Sequence, residues 1–167
     1  FRLACDMSLE KMEEPMQANL ASLSDDIIRE EYVKRYTLKS GARLTGAKST
    51  ADHLRGFYAE SKYKESFVMI CLNAQHEIID TRILFSGTIS TSAVYPRELI
   101  KSILLDYPAT AAVIISHNHP SGRDIPSSSD YAITKKIKDA LETVDINLLD
   151  HIIIGSEYYS FADNNNL

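Results

Sequence analysis

Cysteine is scarce in this chain. Only Cys5 and Cys71 occur among 167 residues, far apart and with no CxxC pair. No disulfide framework and no cysteine zinc site follows, and a reducing compartment, the cytoplasm, is the expectation. Positive charge is also short: 18 Lys and Arg against 23 Asp and Glu give a net charge of −5. Broad phosphate-backbone binding needs a basic face, so the charge does not support nucleic acid as a partner, although it leaves room for a local patch. No apolar run approaches the length of a membrane span, and no signal peptide is visible, so no membrane partner is expected. The chain has no GxSxG elbow, no Gly-rich phosphate loop, and neither H-x-E nor P-C-x-x-C. Those absences set aside serine hydrolases of the elbow type, phosphate-loop enzymes and zinc deaminases. Cys71 falls inside an apolar run, which argues against a cysteine nucleophile. The chain opens on Phe1 rather than Met, as a trimmed piece of a longer protein would.

What is present centres on Ser116-His117-Asn118-His119-Pro120-Ser121-Gly122, with its continuation to Ser127 and Asp130. It follows Ala111-Ala112-Val113-Ile114-Ile115, an apolar run ending in turn formers that reads as a strand buried on both faces. Residues two apart in extended chain share a face, so His117 and His119 point one way and Asn118 the other. Pro120 and Gly122 turn the chain out of the sheet. Two His at a strand end and Asp130 at a nearby helix start make a three-ligand set. A zinc ion held so keeps its fourth position open, the catalytic arrangement. The carboxyl end of a buried strand is also where open α/β sheets place ligand sites. By spacing alone an alternative stays open: strand, turn and capped helix, with Ser127 as N-cap and Asp130 in the first turn, where its charge suits the helix dipole.

A length of 167 residues suits one domain with a real core. Residues 1–46 differ in texture and are expected as a helical amino-terminal segment and linker. Met7 to Tyr36 is polar and helix-favouring, broken by Pro15, with Ser24-Asp25-Asp26 as an N-cap before Ile27. These helices are candidates for a homodimer contact. Ser40 to Gly46 reads as linker. Residues 47–167 form the main domain. Ser49 or Thr50 caps a helix to about Glu60. Ser66–Leu72 and Glu77–Phe85 read as a hairpin, and Gly87 to Val94 as a loop or short strand. Pro96 opens a helix to Asp106. After the strand to Ser116, a helix runs from Ser127 to about Val144. Strands Ile146–Ile154 and Tyr158–Phe161 follow, and Asn164-Asn165-Asn166 is expected to fray. The fold class is α/β with an α+β-like order: a mixed β-sheet flanked by helices on both sides.

His117-x-His119 followed by Ser127-x-x-Asp130 resembles the JAMM motif of the JAB/MPN metalloprotease superfamily. The fuller string, His117 to Gly122 and then Pro126-Ser127-x-x-Asp130, resembles the bacterial RadC family, historically labelled DNA repair proteins. Glu65-Ser66-Phe67-Val68, Phe85-Ser86-Gly87-Thr88, Tyr95-Pro96-Arg97-Glu98 and Leu148-Leu149-Asp150-His151 match RadC-type sequences in order. The similarity covers about residues 45–165. It implies the JAB/MPN fold, which is similar to cytidine deaminases. RadC proteins usually carry a helix-hairpin-helix-like region before this domain. Residues 1–46 show no Gly-centred hairpin pair, a departure that weakens any carry-over of DNA binding.

The resemblance implies a zinc-dependent hydrolase acting on a peptide or isopeptide bond. His117, His119 and Asp130 would hold Zn²⁺. Glu65, just before Phe67-Val68-Met69-Ile70, matches the upstream glutamate that serves as general acid/base; by position alone it reads as a solvated charge at a strand entrance. Glu98 and Glu157 are weaker rivals, because neither occupies the motif's position. Ser127 would offer its hydroxyl to the oxyanion, a role compatible with capping because a hydroxyl both donates and accepts. Asn118, Ser121 and Gly122 are expected to shape the loop. His151 is either a group behind the metal or a satisfied core histidine, the second favoured. His53 and His76 are expected at the surface. The alternative reading is a DNA-repair or recombination accessory that binds DNA or a repair partner without proteolysis.

Overall fold

The computed structural model describes residues 23–59, 63–87 and 95–167. The amino-terminal expectations before residue 23, Cys5 included, and those on residues 88–94 lie outside the described residues. Among the described residues the order is α1 (Asp25–Tyr36), α2 (Ala47–Tyr58), β1 (Glu65–Leu72), β2 (Ile78–Gly87), α3 (Pro96–Asp106), β3 (Ala112–Asn118), α4 (Ser128–Glu142), β4 (Asn147–Ile154) and β5 (Tyr158–Ser160). The five strands form one sheet in the order β2-β1-β3-β4-β5. Only β3 and β4 run parallel; the other neighbours are antiparallel. The parallel pair needs a crossover, and α4 supplies it.

The sheet is covered on both sides because its central strands alternate two apolar sets. Val68, Ile70 and Leu72 of β1 and Ile114 of β3 meet Ala51, Leu54 and Tyr58 of α2. Phe67, Met69 and Cys71 of β1 and Val113 and Ile115 of β3 meet Leu99 and Ile103 of α3 and Ile137 and Leu141 of α4. The pleat carries this alternation to the end of β3. His117 therefore shares the α3/α4 side, and Ser116 shares the α2 side, where the Tyr58 hydroxyl donates to it at 2.9 Å. Burial pushes the Cys71 thiol up to about 11, so it is a packing group and not a nucleophile.

Four expectations change. Residues 40–46 are not a linker. Gly41 N donates to Ile78 O and Ile78 N to Ala42 O, both at 2.8 Å, and Arg43 bridges Glu77. The outer edge of β2 at its start, on the side away from β1, recruits this segment as an added edge. Helix α2 begins at Ala47 with Gly46 as its cap; Ser49 and Thr50 instead donate their hydroxyls to the Gly46 carbonyl. His53 is fully buried, not superficial. Its Nδ1 accepts from Leu38 N at 2.8 Å and its Nε2 meets Thr81 Oγ1 at 2.9 Å. The carboxyl tail is tied: Asn166 N donates to Phe161 O at 2.8 Å and Asn164 Nδ2 to Ser160 O at 2.8 Å. Helix α1, capped by Ser24 as expected, buries none of its residues, and Ile27 and Ile28 stay exposed.

Candidate metal centre

The carboxyl end of β3 delivers His117 and His119 to one face, and the first turn of α4 brings Asp130 against them. The two Nε2 atoms lie 2.9 Å apart. His117 Nε2 is 3.3 Å from Asp130 Oδ1, and His119 Nε2 is 3.9 Å from Oδ2. Burial drives the His117 ring down to about 4, against the pull of Asp130 in the other direction, so the ring is neutral at pH 7. His119 Nδ1 lies 2.7 Å from the Arg123 carbonyl, an acceptor, which places a proton on Nδ1. Two imidazole nitrogens and a carboxylate oxygen thus converge on one point. Tetrahedral zinc at about 2.0–2.1 Å from each donor spaces its ligands by roughly 3.3 Å, close to the separations here. The three residues fit a metal ion.

Asp130 divides its two oxygens. Oδ1 faces His117, while Oδ2 accepts from Ser127 N and Ser127 Oγ, both at 2.7 Å. Ser127 Oγ accepts in return from Asp130 N at 3.3 Å, closing a capping box at the start of α4. The capped-helix reading therefore holds, and the same cap aims Asp130 Oδ1 at His117. In this arrangement the Ser127 hydrogen is directed at Asp130.

Glu65 opens β1 on the same face. Phe67 pairs with His117 across the ladder, and two further residues along that register put Glu65 opposite His119. Its carboxyl is raised, chiefly by partial burial, with His119 lowering it and Asp130 raising it. Asn118, pointing to the opposite face, brackets this glutamate. Its Oδ1 accepts from Ser66 N at 2.7 Å and its Nδ2 donates to Lys64 O at 3.0 Å. The rivals lie elsewhere. Glu98 is exposed and paired with Arg97, and Glu157 is exposed in the turn between β4 and β5.

His151 of β4 is both things at once: a fully buried, satisfied histidine and a neighbour of the site, 2.9 Å from His117 Nδ1. Burial takes its ring well below the ordinary imidazole value, with His117 and His119 acting the same way. Thr134 of α4, which the sequence reading passed over, meets the other nitrogen of His151 at 2.6 Å. The signal was available. Thr134 is a polar residue on the buried stripe of α4 with Ile137 and Leu141.

A mixed sheet with a His-x-His pair at the end of its central strand and an aspartate on the following helix defines a JAB-type domain with a candidate metal centre. A family model for the RadC-like JAB domain matches residues 44–166, and the chain belongs to that family. Relatives carry the name UPF0758 protein. One from Shewanella amazonensis is 47% identical over 128 residues, 76% of this chain and 56% of its own length. One from Haemophilus influenzae is 54% identical over 102 residues, 60% of this chain and 45% of its own. One from Pasteurella multocida is 44% identical over 139 residues, 80% of this chain and 60% of its own. The chain spans about half the length of the curated relatives it matches.

Proposed function

We propose that the chain is a zinc-dependent hydrolase that cleaves a peptide or isopeptide bond by attack of water. The observation that carries this reading is the convergence of His117, His119 and Asp130 on one point, with Glu65 of β1 on the same face in the register position opposite His119. His117, His119 and Asp130 would hold the zinc, which would supply an acidified water and a Lewis acid for the carbonyl. Glu65 accepts the proton of the attacking water and returns it to the leaving amine. The Asn118 amide, bonded on both sides of Glu65, holds the backbone that carries the base. Ser127 serves the oxyanion by turning its hydroxyl hydrogen from Asp130 Oδ2 to the substrate.

Elemental analysis of zinc together with cleavage of a peptide library tests this directly. The wild-type chain is expected to hold one zinc. Glu65→Gln is expected to keep it while losing about 10²–10⁴-fold in turnover. His119→Ala is expected to lose both. A wild-type chain that takes up no zinc overturns the proposal.

A further inference from the structure

His151 stands outside the His-x-His and Asp pattern, yet its ring joins two of that pattern's members. Its Nε2 is 2.9 Å from His117 Nδ1, and its Nδ1 is 2.6 Å from Thr134 Oγ1. Thr134 also meets the Asp130 carbonyl at 2.6 Å. A carbonyl brings no proton and a threonine hydroxyl has one, so that hydrogen goes to Asp130. The contact between Thr134 and His151 then needs a proton on His151 Nδ1. A neutral imidazole carries a single N–H, so His151 Nε2 accepts, and the proton of the next contact sits on His117 Nδ1. His117 Nε2 is left as a bare lone pair directed at His119 and Asp130. The reverse direction fails twice. It leaves Thr134 Oγ1 and the Asp130 carbonyl facing at 2.6 Å with no hydrogen between them, and it puts a proton on His117 Nε2, where a cation would bind. Phe161 stacks on the His151 ring, centroids 4.8 Å apart at 14°, and fixes its plane.

We propose that Thr134 and His151 are positioning residues that lock the ring tautomer and aim of His117 toward the cation. The chain of bonds starts at the backbone of Asp130, so it ties one ligand to another through the core. This inference rests on the zinc reading above. Outer partners of metal-bound histidines typically carry about 10–100-fold in metal affinity.

Long-range ¹H–¹⁵N spectra of the zinc-free chain, labelled at histidine, read each tautomer directly. His117 and His151 are both expected to be protonated at Nδ1. Thr134→Val keeps the branched shape and removes the hydroxyl. It is expected to bind zinc about 10–100-fold more weakly in competition with a chromophoric chelator, and Thr134→Ser is expected to restore binding. A proton on His117 Nε2 in the zinc-free wild type overturns the proposal, as does a Thr134→Val chain that holds zinc as tightly as wild type. Should Thr134→Val not fold, the wild-type spectrum decides alone. Failure of the underlying reading looks different: the expected tautomers with no zinc uptake at all, which removes the site and the purpose assigned to this chain of bonds together.

Discussion

His53 sets an acid limit on the fold. Burial lowers its ring from 6.5 to about 4, and its Nδ1 must stay unprotonated to accept from Leu38 N. Between those values the unfolded chain binds more protons than the folded one. Stability is therefore full above about pH 6.5 and falls as the pH drops toward 4. The loss from this residue is about 3 kcal/mol by pH 4. His117 and His151, lowered in the same direction, steepen the same limb. Urea titrations across pH 4–7 are expected to show His53→Gln with a shallower decline than wild type. Equal slopes would mean the ring titrates without cost. The sequence showed His117, His119 and Asp130 because strand periodicity and a helix start place them together by local rules. It hid the roles of His53 and Thr134 because their partners, Thr81 and His151, come from strands far along the chain. No local spacing encodes such a contact.

Gly155 shows how one element holds another. A Cβ there would lie 2.6 Å from Gly122 O and 2.7 Å from Arg123 C. The turn after β4 thus presses on the backbone of the motif loop, and Ser156 N donates to Gly122 O at 2.8 Å. The Arg123 carbonyl holds His119 Nδ1, so any displacement reaches the site. Gly155→Ala is expected to weaken zinc binding by at least tenfold, measured by chelator competition. Its melting temperature should change less than that of a large-to-small core variant such as Ile115→Ala, which costs about 2–5 kcal/mol. Unchanged affinity would show that the loop yields freely. The helices and strands themselves were legible, because their signals are short-range: Pro96 at the start of α3, the apolar stripe of α4, the hairpin of β1 and β2. The edge made by residues 40–46 was not, since Ser, Gly and Thr there read as a turn until Ile78 offers its backbone.

For the molecule as a whole, one parallel pair in a mostly antiparallel sheet decides where chemistry can occur. The crossover through α4 returns the chain to β4, and this brings Asp130 over the end of β3. Fold class followed from the order of the helix and strand patterns, and the position of the His-x-His pair from the apolar run and the turn formers after it. Among the described residues no helix is long and apolar enough to cross a membrane. The capping box has a further effect, because one carboxylate both starts α4 and faces the imidazoles. A bound ion and a wound first turn then become a single thermodynamic event. Amide hydrogen exchange along the amino-terminal half of α4 should slow as free zinc rises, by about 100-fold at a hundred times the dissociation constant, and a chelator should reverse it. Exchange indifferent to zinc would uncouple the two. If they are coupled, starving the protein of metal unwinds a helix as well as emptying a cleft, and scarcity of the ion would register as exposure of the chain to proteases.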